Sequence, residues 1–163
     1  MSESSSLTLR LRILVSLLGV QFLLGIWVNL FGTFPSTDSV GTALMYGGDP
    51  VLSAHYVVAL VVFLLALTLL ARTIRVRQPS HLRWLILAGF LSVVWASVSG
   101  VEFILSGFSN AGASFSMASA FIVAVSFYGV AQVAVMGMEQ SSPPAGGQPA
   151  ARAPSGARGA NEG

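Results

Sequence analysis

VLSAHYVVALVVFLLALTLLA, residues Val51–Ala71, is the stretch that decides the fold, because its 21 residues include no Asp, Glu, Lys or Arg. About 20 consecutive apolar residues is what a helix needs to cross the ~30 Å hydrocarbon of a bilayer. Val58–Val62 has strand propensity, but hydrocarbon offers the backbone no water, so an isolated span satisfies its N–H and C=O groups only as a helix. A membrane barrel would require shorter, alternating strands, which the stretch does not show.

Working outward from it, three more runs have spanning length: Arg10–Phe31, Leu82–Ser106 and Ala113–Met138. The expected fold class is therefore all-α, a membrane four-helix bundle over residues 10–138, with spans at 10–31, 51–71, 82–106 and 113–138. Residues 1–9 form a short serine-rich segment before it. Residues 139–163 turn abruptly to Pro, Gly, Ala, Ser and Gln, a composition that cannot bury enough apolar surface to offset its ordering entropy, and they are expected to be a disordered tail. The whole composition agrees, with 54% hydrophobic and 9% charged residues. Leu11–Phe31 exceeds the roughly 7–15 apolar residues of a secretory signal, so the first span reads as a retained helix.

The arginines orient the bundle. Arg10 and Arg12 precede the first span, and Arg72, Arg75, Arg77 and Arg83 crowd the link between the second and third. The links 32–50 and 107–112 contain neither Lys nor Arg. By the positive-inside rule both termini are cytoplasmic and those two links lie outside, in a multi-pass protein of the cell membrane. Trp27, Phe31, Tyr46 and Tyr56 then fall near the outer boundary and Trp84 near the inner one, where amphipathic rings prefer to sit. Asp49-Pro50 predicts a side-chain cap followed by a first-turn proline at the start of the second helix. In the outer link, Thr37-Asp38 is expected to cap a short surface helix through Ala43, Leu44 and Met45.

Several chemistries are excluded at this level. Cysteine is absent, which removes disulfides, thiolate nucleophiles and cysteine-held metal. A formal charge of +2 spread over helix ends and tail forms no basic groove, so nucleic acid is not a partner. No serine stands in a nucleophile-elbow context, and one imidazole with one carboxylate falls short of a three-ligand catalytic zinc site.

What remains is polar chemistry inside the spans. Small residues recur every fourth position, at Ser92, Ala96 and Gly100 in the third span and Ser116, Ala120 and Ala124 in the fourth, a pattern that lets membrane helices approach. The first span carries Gln21, Gly25 and Asn29 at the same spacing, which puts two amides on one face that should turn inward; two such amides read first as interhelical glue. His55 and Glu102 are the strongly ionisable residues well inside the spans, and such residues are functional candidates by default. Each lies about four residues, or about 6 Å, below the outer boundary, level with Asn29. Ser99 and Trp95 share the Glu102 face. The candidate ligand-binding set is therefore His55, Glu102, Asn29, Gln21, Ser99 and Trp95, with His55 and Glu102 expected to pair. The structural alternative is that His55 bonds a neighbouring helix and Glu102 reaches outward.

The segment Gln21-Phe22-Leu23-Leu24-Gly25-Ile26-Trp27-Val28-Asn29-Leu30-Phe31 with Pro35, the histidine at 55, and Ser109-Asn110 followed by Ala111-Gly112-Ala113-Ser114-Phe115 resemble a family of bacterial and archaeal four-helix membrane proteins (QFLLGxxVNLF). The resemblance covers the membrane part and implies no activity. A fainter similarity, in architecture and His55 alone, is to the four-helix halves of haem A synthase and to cytochrome-b-like bundles. Their paired histidines are missing, since His81 falls in the link at the opposite side.

Three readings follow. In the first, the protein is a non-enzymatic accessory subunit or small-amphiphile binder with an outer-leaflet polar cluster, partnered by the bilayer and by a second copy or another membrane protein. In the second, it is a redox protein in which His55 contacts haem b or a quinone. The third is an oligomeric transporter or proton pathway that uses Glu102.

Overall fold

The computed structural model describes residues 3–32, 34 and 49–140. Among these there are four helices, α1 (Glu3–Phe31), α2 (Pro50–Arg75), α3 (Ser80–Leu105) and α4 (Ala111–Gln140). Each is long and apolar enough to cross a membrane. They run up and down in chain order around a ring, so that α1 packs on α2 and α4, and α3 packs on α2 and, most extensively, α4. Large apolar side chains such as Leu23, Val57, Leu91, Phe115 and Val133 remain exposed on the outside. Water would make that surface unfavourable, whereas lipid tails accept it, so the fold fits an integral multi-pass membrane protein.

The ends of the ring differ. One, here the arginine end, holds the start of α1, the α2–α3 link and the close of α4. The other, the loop end, holds the α1–α2 and α3–α4 links. At the arginine end the bundle is closed by a leucine seam on α1, Leu7, Leu11, Leu14 and Leu18, each at most 4% exposed. Their 4-3-4 spacing keeps all four on one helical stripe. The seam belongs to a core that includes Ala66 and Leu69 of α2, Leu82 and Ile86 of α3, and Ala131 and Val135 of α4.

Tyr128 completes this core at 0% exposure. Its ring lies on Gly89 of α3, where a Cβ would come within 2.9 Å of Tyr128 Cζ. Only a residue without a side chain admits the ring, and Gly89 sets the α3–α4 approach here.

α1 begins at Glu3, about two turns before the expected start of the span at Arg10. Tertiary contacts account for the extension. Leu7 and Thr8 are buried, Thr8 Oγ1 donates to Glu139 Oε1 at 3.1 Å, and Arg72 Nη2 donates to Ser6 Oγ at 3.0 Å. α2 likewise runs beyond Ala71 to Arg75, placing Arg72 and Arg75 in its last turn. Cations there meet the negative end of the helix dipole.

At the other end of α2, Asp49 accepts from the N–H groups of Val51 at 2.8 Å and Leu52 at 3.1 Å. This is the cap that Asp49-Pro50 predicts. The short helix expected at Thr37–Met45 and the tail from 141 onward lie outside the described residues.

Candidate functional site

The packing that closes the arginine end does not continue to the loop end. There a cavity of about 480 Å³ lies between the helices, walled by all four of them. Residue size is the cause. Gly25 of α1, Ala59 of α2, Ala96 and Gly100 of α3, and Ala118 and Ala124 of α4 all face it. Two members of the α3 small-residue stripe thus border space rather than a neighbouring backbone, while Ser92 is buried and its Oγ donates to Ala88 O at 2.9 Å. The α4 stripe behaves as expected of close packing at Ala120, which is 1% exposed.

The walls are mainly apolar and aromatic. Phe22 of α1 stacks on Phe121 of α4 at 5.2 Å, forming one side. Phe34, Phe103 and Phe108 gather at the loop end, with Phe34 stacked on Phe108 at 4.8 Å and edge-on to Phe103 at 5.8 Å. Phe108 has φ 60° and follows Gly107 at φ 65°. A left-handed backbone costs about 1–3 kcal/mol for a residue with a side chain, and here it turns the aromatic ring back into the cluster.

Polar atoms reach the cavity from α1 and α2. Gln21 Nε2 lies 3.2 Å from His55 Nε2, so that the amide N–H donates to the ring. Gly25 makes this possible, since a Cβ there would be 3.3 Å from His55 Cε1. Gln21 stands ten residues before the end of α1, about 15 Å down from the loop end. Asn29 also lines the cavity, nearer the loop end of α1, and is exposed.

Three polar atoms of cavity-lining residues are buried and have no partner: His55 Nδ1, Gln21 Oε1 and the Tyr56 hydroxyl. Buried polar groups without a partner are uncommon in folded proteins and each costs about 1–3 kcal/mol. Here all three belong to residues of one wall, each covered by neighbouring protein atoms.

The expected His55–Glu102 pair does not form. Glu102 is exposed, does not line the cavity, and accepts from Asn110 Nδ2 at 3.2 Å. The reason is rotation about the α3 axis. Gly100 faces the cavity, and two residues further along a helix is roughly 200° around it.

Ser99 and Trp95 also turn away from the cavity. Ser99 is buried against α4 with its Oγ 3.0 Å from Ser116 Oγ, and Trp95 Nε1 donates to the same oxygen at 2.9 Å. They fasten α3 to α4. Asn110 has a similar joining role, its Oδ1 accepting from the Ala113 N–H at 3.1 Å to cap α4 while its amide holds Glu102.

Of the six candidates the cavity therefore brings together Gln21, Asn29 and His55, and leaves Glu102, Ser99 and Trp95 outside. Tyr56, which its depth marks only as an outer-boundary ring, lines the cavity as well. Haem held between two histidines of one copy of the chain does not fit the donor set, because His81 is exposed at the start of α3, at the arginine end. Among the described residues no three His, Asp or Glu side chains gather in a metal-binding group. No family model matches the chain, and no curated protein or solved structure matches it.

Proposed function

We propose that this protein is a multi-pass cell-membrane protein that binds a small amphiphile in the loop-end cavity, as a binding or accessory protein rather than an enzyme. The observation that carries the reading is the cavity itself, an apolar chamber with a few polar side chains, Gln21, Asn29 and His55, among its lining residues. Its volume lies inside the ~300–1,000 Å³ range of small-molecule sites, whose walls combine apolar lining with a few placed polar groups. An apolar cavity of ~150 Å³ already takes up benzene-sized guests.

With the arginine end in the cytoplasm, as the positive-inside rule requires, the cavity lies in the outer half of the bilayer. A membrane-dissolved molecule reaches that depth without leaving the lipid. The four-helix family that Gln21–Phe31 resembles is consistent with such a protein.

Co-purification tests the reading. Organic extracts of the full chain and of Ala118→Phe, which places a ring in the cavity, are compared by mass spectrometry. A near-stoichiometric small molecule retained by the first and lost from the second is the expected result. Equal retention, or none in either, rejects the cavity as the binding site. Reporter fusions test orientation separately: active cytoplasmic reporters are expected at the tail and in the α2–α3 link.

A further inference from the structure

We propose that the amphiphile is a lipid of the outer leaflet, one hydrocarbon chain of which lies in the cavity after passing sideways through the seam between α2 and α3. The proposal rests on the amphiphile-binding reading above and gives that reading a ligand class and an entry route.

Three of the four seams around the cavity are bridged at its level. The Gln21 amide meets His55 Nε2 at 3.2 Å between α1 and α2, Phe22 stacks on Phe121 at 5.2 Å between α1 and α4, and Trp95 and Ser99 hold Ser116 between α3 and α4. Between α2 and α3 the bridge sits lower. Phe63 and Phe90 meet there with ring centroids 5.8 Å apart. Phe63 stands 13 residues after Pro50 and Phe90 15 residues before Leu105, so their contact is about 20 Å down from the loop end, near the middle of two 26-residue helices.

Above that contact the seam opens to the outside. On α2, Leu60 lies on the Phe63 side, three residues nearer the loop end, and on α3, Ser97 and Val101 follow Phe90 on one helical stripe. All three line the cavity and are also exposed, Leu60 at 59% and Val101 at 43%. Residues that do both mark the edge of an opening. Phe22 and Ile26 of α1 share this property, but the Phe121 stack crosses their seam higher up, and no cavity-lining residue of α4 is exposed.

The opening is continuous with the lipid-facing surface, and its edge is apolar, because the Ser97 hydroxyl is committed to Val93 O at 2.9 Å. Its depth is that of one leaflet, half of the ~30 Å hydrocarbon, which is the depth that a single lipid chain fills. None of the described lining residues is Asp, Glu, Lys or Arg. The headgroup therefore stays outside, and the chain alone is recognised.

The test uses the full chain in nanodiscs of phosphatidylcholine that carries a photoreactive diazirine at the end of one chain, with the adducts mapped by mass spectrometry. Val57, Leu64 and Val98, exposed and outside the cavity lining, report the surrounding bilayer. Val62 and Val93 line the cavity near its floor and are buried at 3% and 5% exposure, out of reach of lipid outside. Adducts at Val62 and Val93 are expected, alike for phosphatidylglycerol with the same chain. Val101→Trp, which narrows the opening, should lose most of these inner adducts and keep the outer ones, whereas Ile26→Trp should keep both.

Inner adducts that survive Val101→Trp, or vanish in Ile26→Trp instead, overturn the α2–α3 route, and a preference for either headgroup overturns recognition by the chain alone. Should a variant not fold, the adduct pattern of the unaltered chain still decides whether a lipid chain enters. Adducts confined to outward residues, while a small molecule still co-purifies with the parent and is lost from Ala118→Phe, overturn the lipid-chain assignment and leave the cavity as a binding site. Absence of both inner adducts and a co-purified molecule overturns the amphiphile-binding reading and this inference with it.

Discussion

The arginine end and the loop end are built from the same four helices, yet one is filled and the other hollow. In the filled end Leu7, Leu11 and Leu14 of α1 share one buried core with Leu69, Leu82 and Ile86, and even a tyrosine is admitted only by a matching glycine. In the hollow end the corresponding positions carry Gly25, Ala59, Ala96, Gly100 and Ala118, and the helices stay apart around about 480 Å³. Helices in lipid associate through close packing rather than through a hydrophobic force, so the filled end supplies most of the cohesion. The hollow end is thereby free to keep space and unpaired polar atoms. Stability and binding occupy different halves of one bundle.

The contrast is sharpest in the leucine seam. Leu11→Ala should lower unfolding stability by about 2–5 kcal/mol, the cost of truncating a fully buried leucine and leaving a cavity. Leu60→Ala, at an exposed leucine that lines the hollow end, should stay within about 0.5 kcal/mol. Denaturation in mixed micelles measures both, and similar losses would erase the distinction.

Next in size is Gly89→Ala. Its new Cβ would meet the Tyr128 ring at about the 2.9 Å found for Cζ, and since that ring is enclosed, overpacking should cost about 1–3 kcal/mol. Gly25→Ala meets only the edge of His55 at 3.3 Å. It should move the His55 ring resonances more than it lowers stability.

A smaller effect is expected at the joint of α3 and α4. Asn110→Ala removes the α4 cap and the bond to Glu102, and should cost about 1 kcal/mol with little change in binding, since neither group lines the cavity. Smallest of all is Tyr128→Phe. It deletes a buried hydroxyl without a partner, so stability should be unchanged or slightly higher. A loss above 1 kcal/mol would mean that this hydroxyl has a partner in the membrane.

Much of the fold is legible in the sequence because a span is a matter of length and apolarity. Val51–Ala71 and its three counterparts need no long-range information, and Asp49-Pro50 marks a helix start by local chemistry. The site is less legible. Counting residues gives depth but not rotation, so His55 and Glu102 can be placed at one level while facing different ways. Gly100 at the cavity and Glu102 at Asn110 are two residues apart and point to different surroundings.

The partner of Glu102 depends on the left-handed turn at Gly107 and Phe108, which no spacing reveals. Tyr128 and Gly89 are far apart in the chain, and neither carries a local signal of the other. The Gln21, Gly25 and Asn29 face was visible as a pattern, but its role in seating His55 appears only when α2 is laid against it.

The central claim is that the hollow end is real space kept for a guest, and filling it is the most direct test. Ala118→Phe projects a ring into the cavity from α4. Its unfolding stability in nanodiscs should stay within about 0.5 kcal/mol of the parent or rise, while the small molecule that co-purifies with the parent is lost. A loss of about 1–3 kcal/mol, the signature of overpacking, together with unchanged retention of that molecule, would contradict the account.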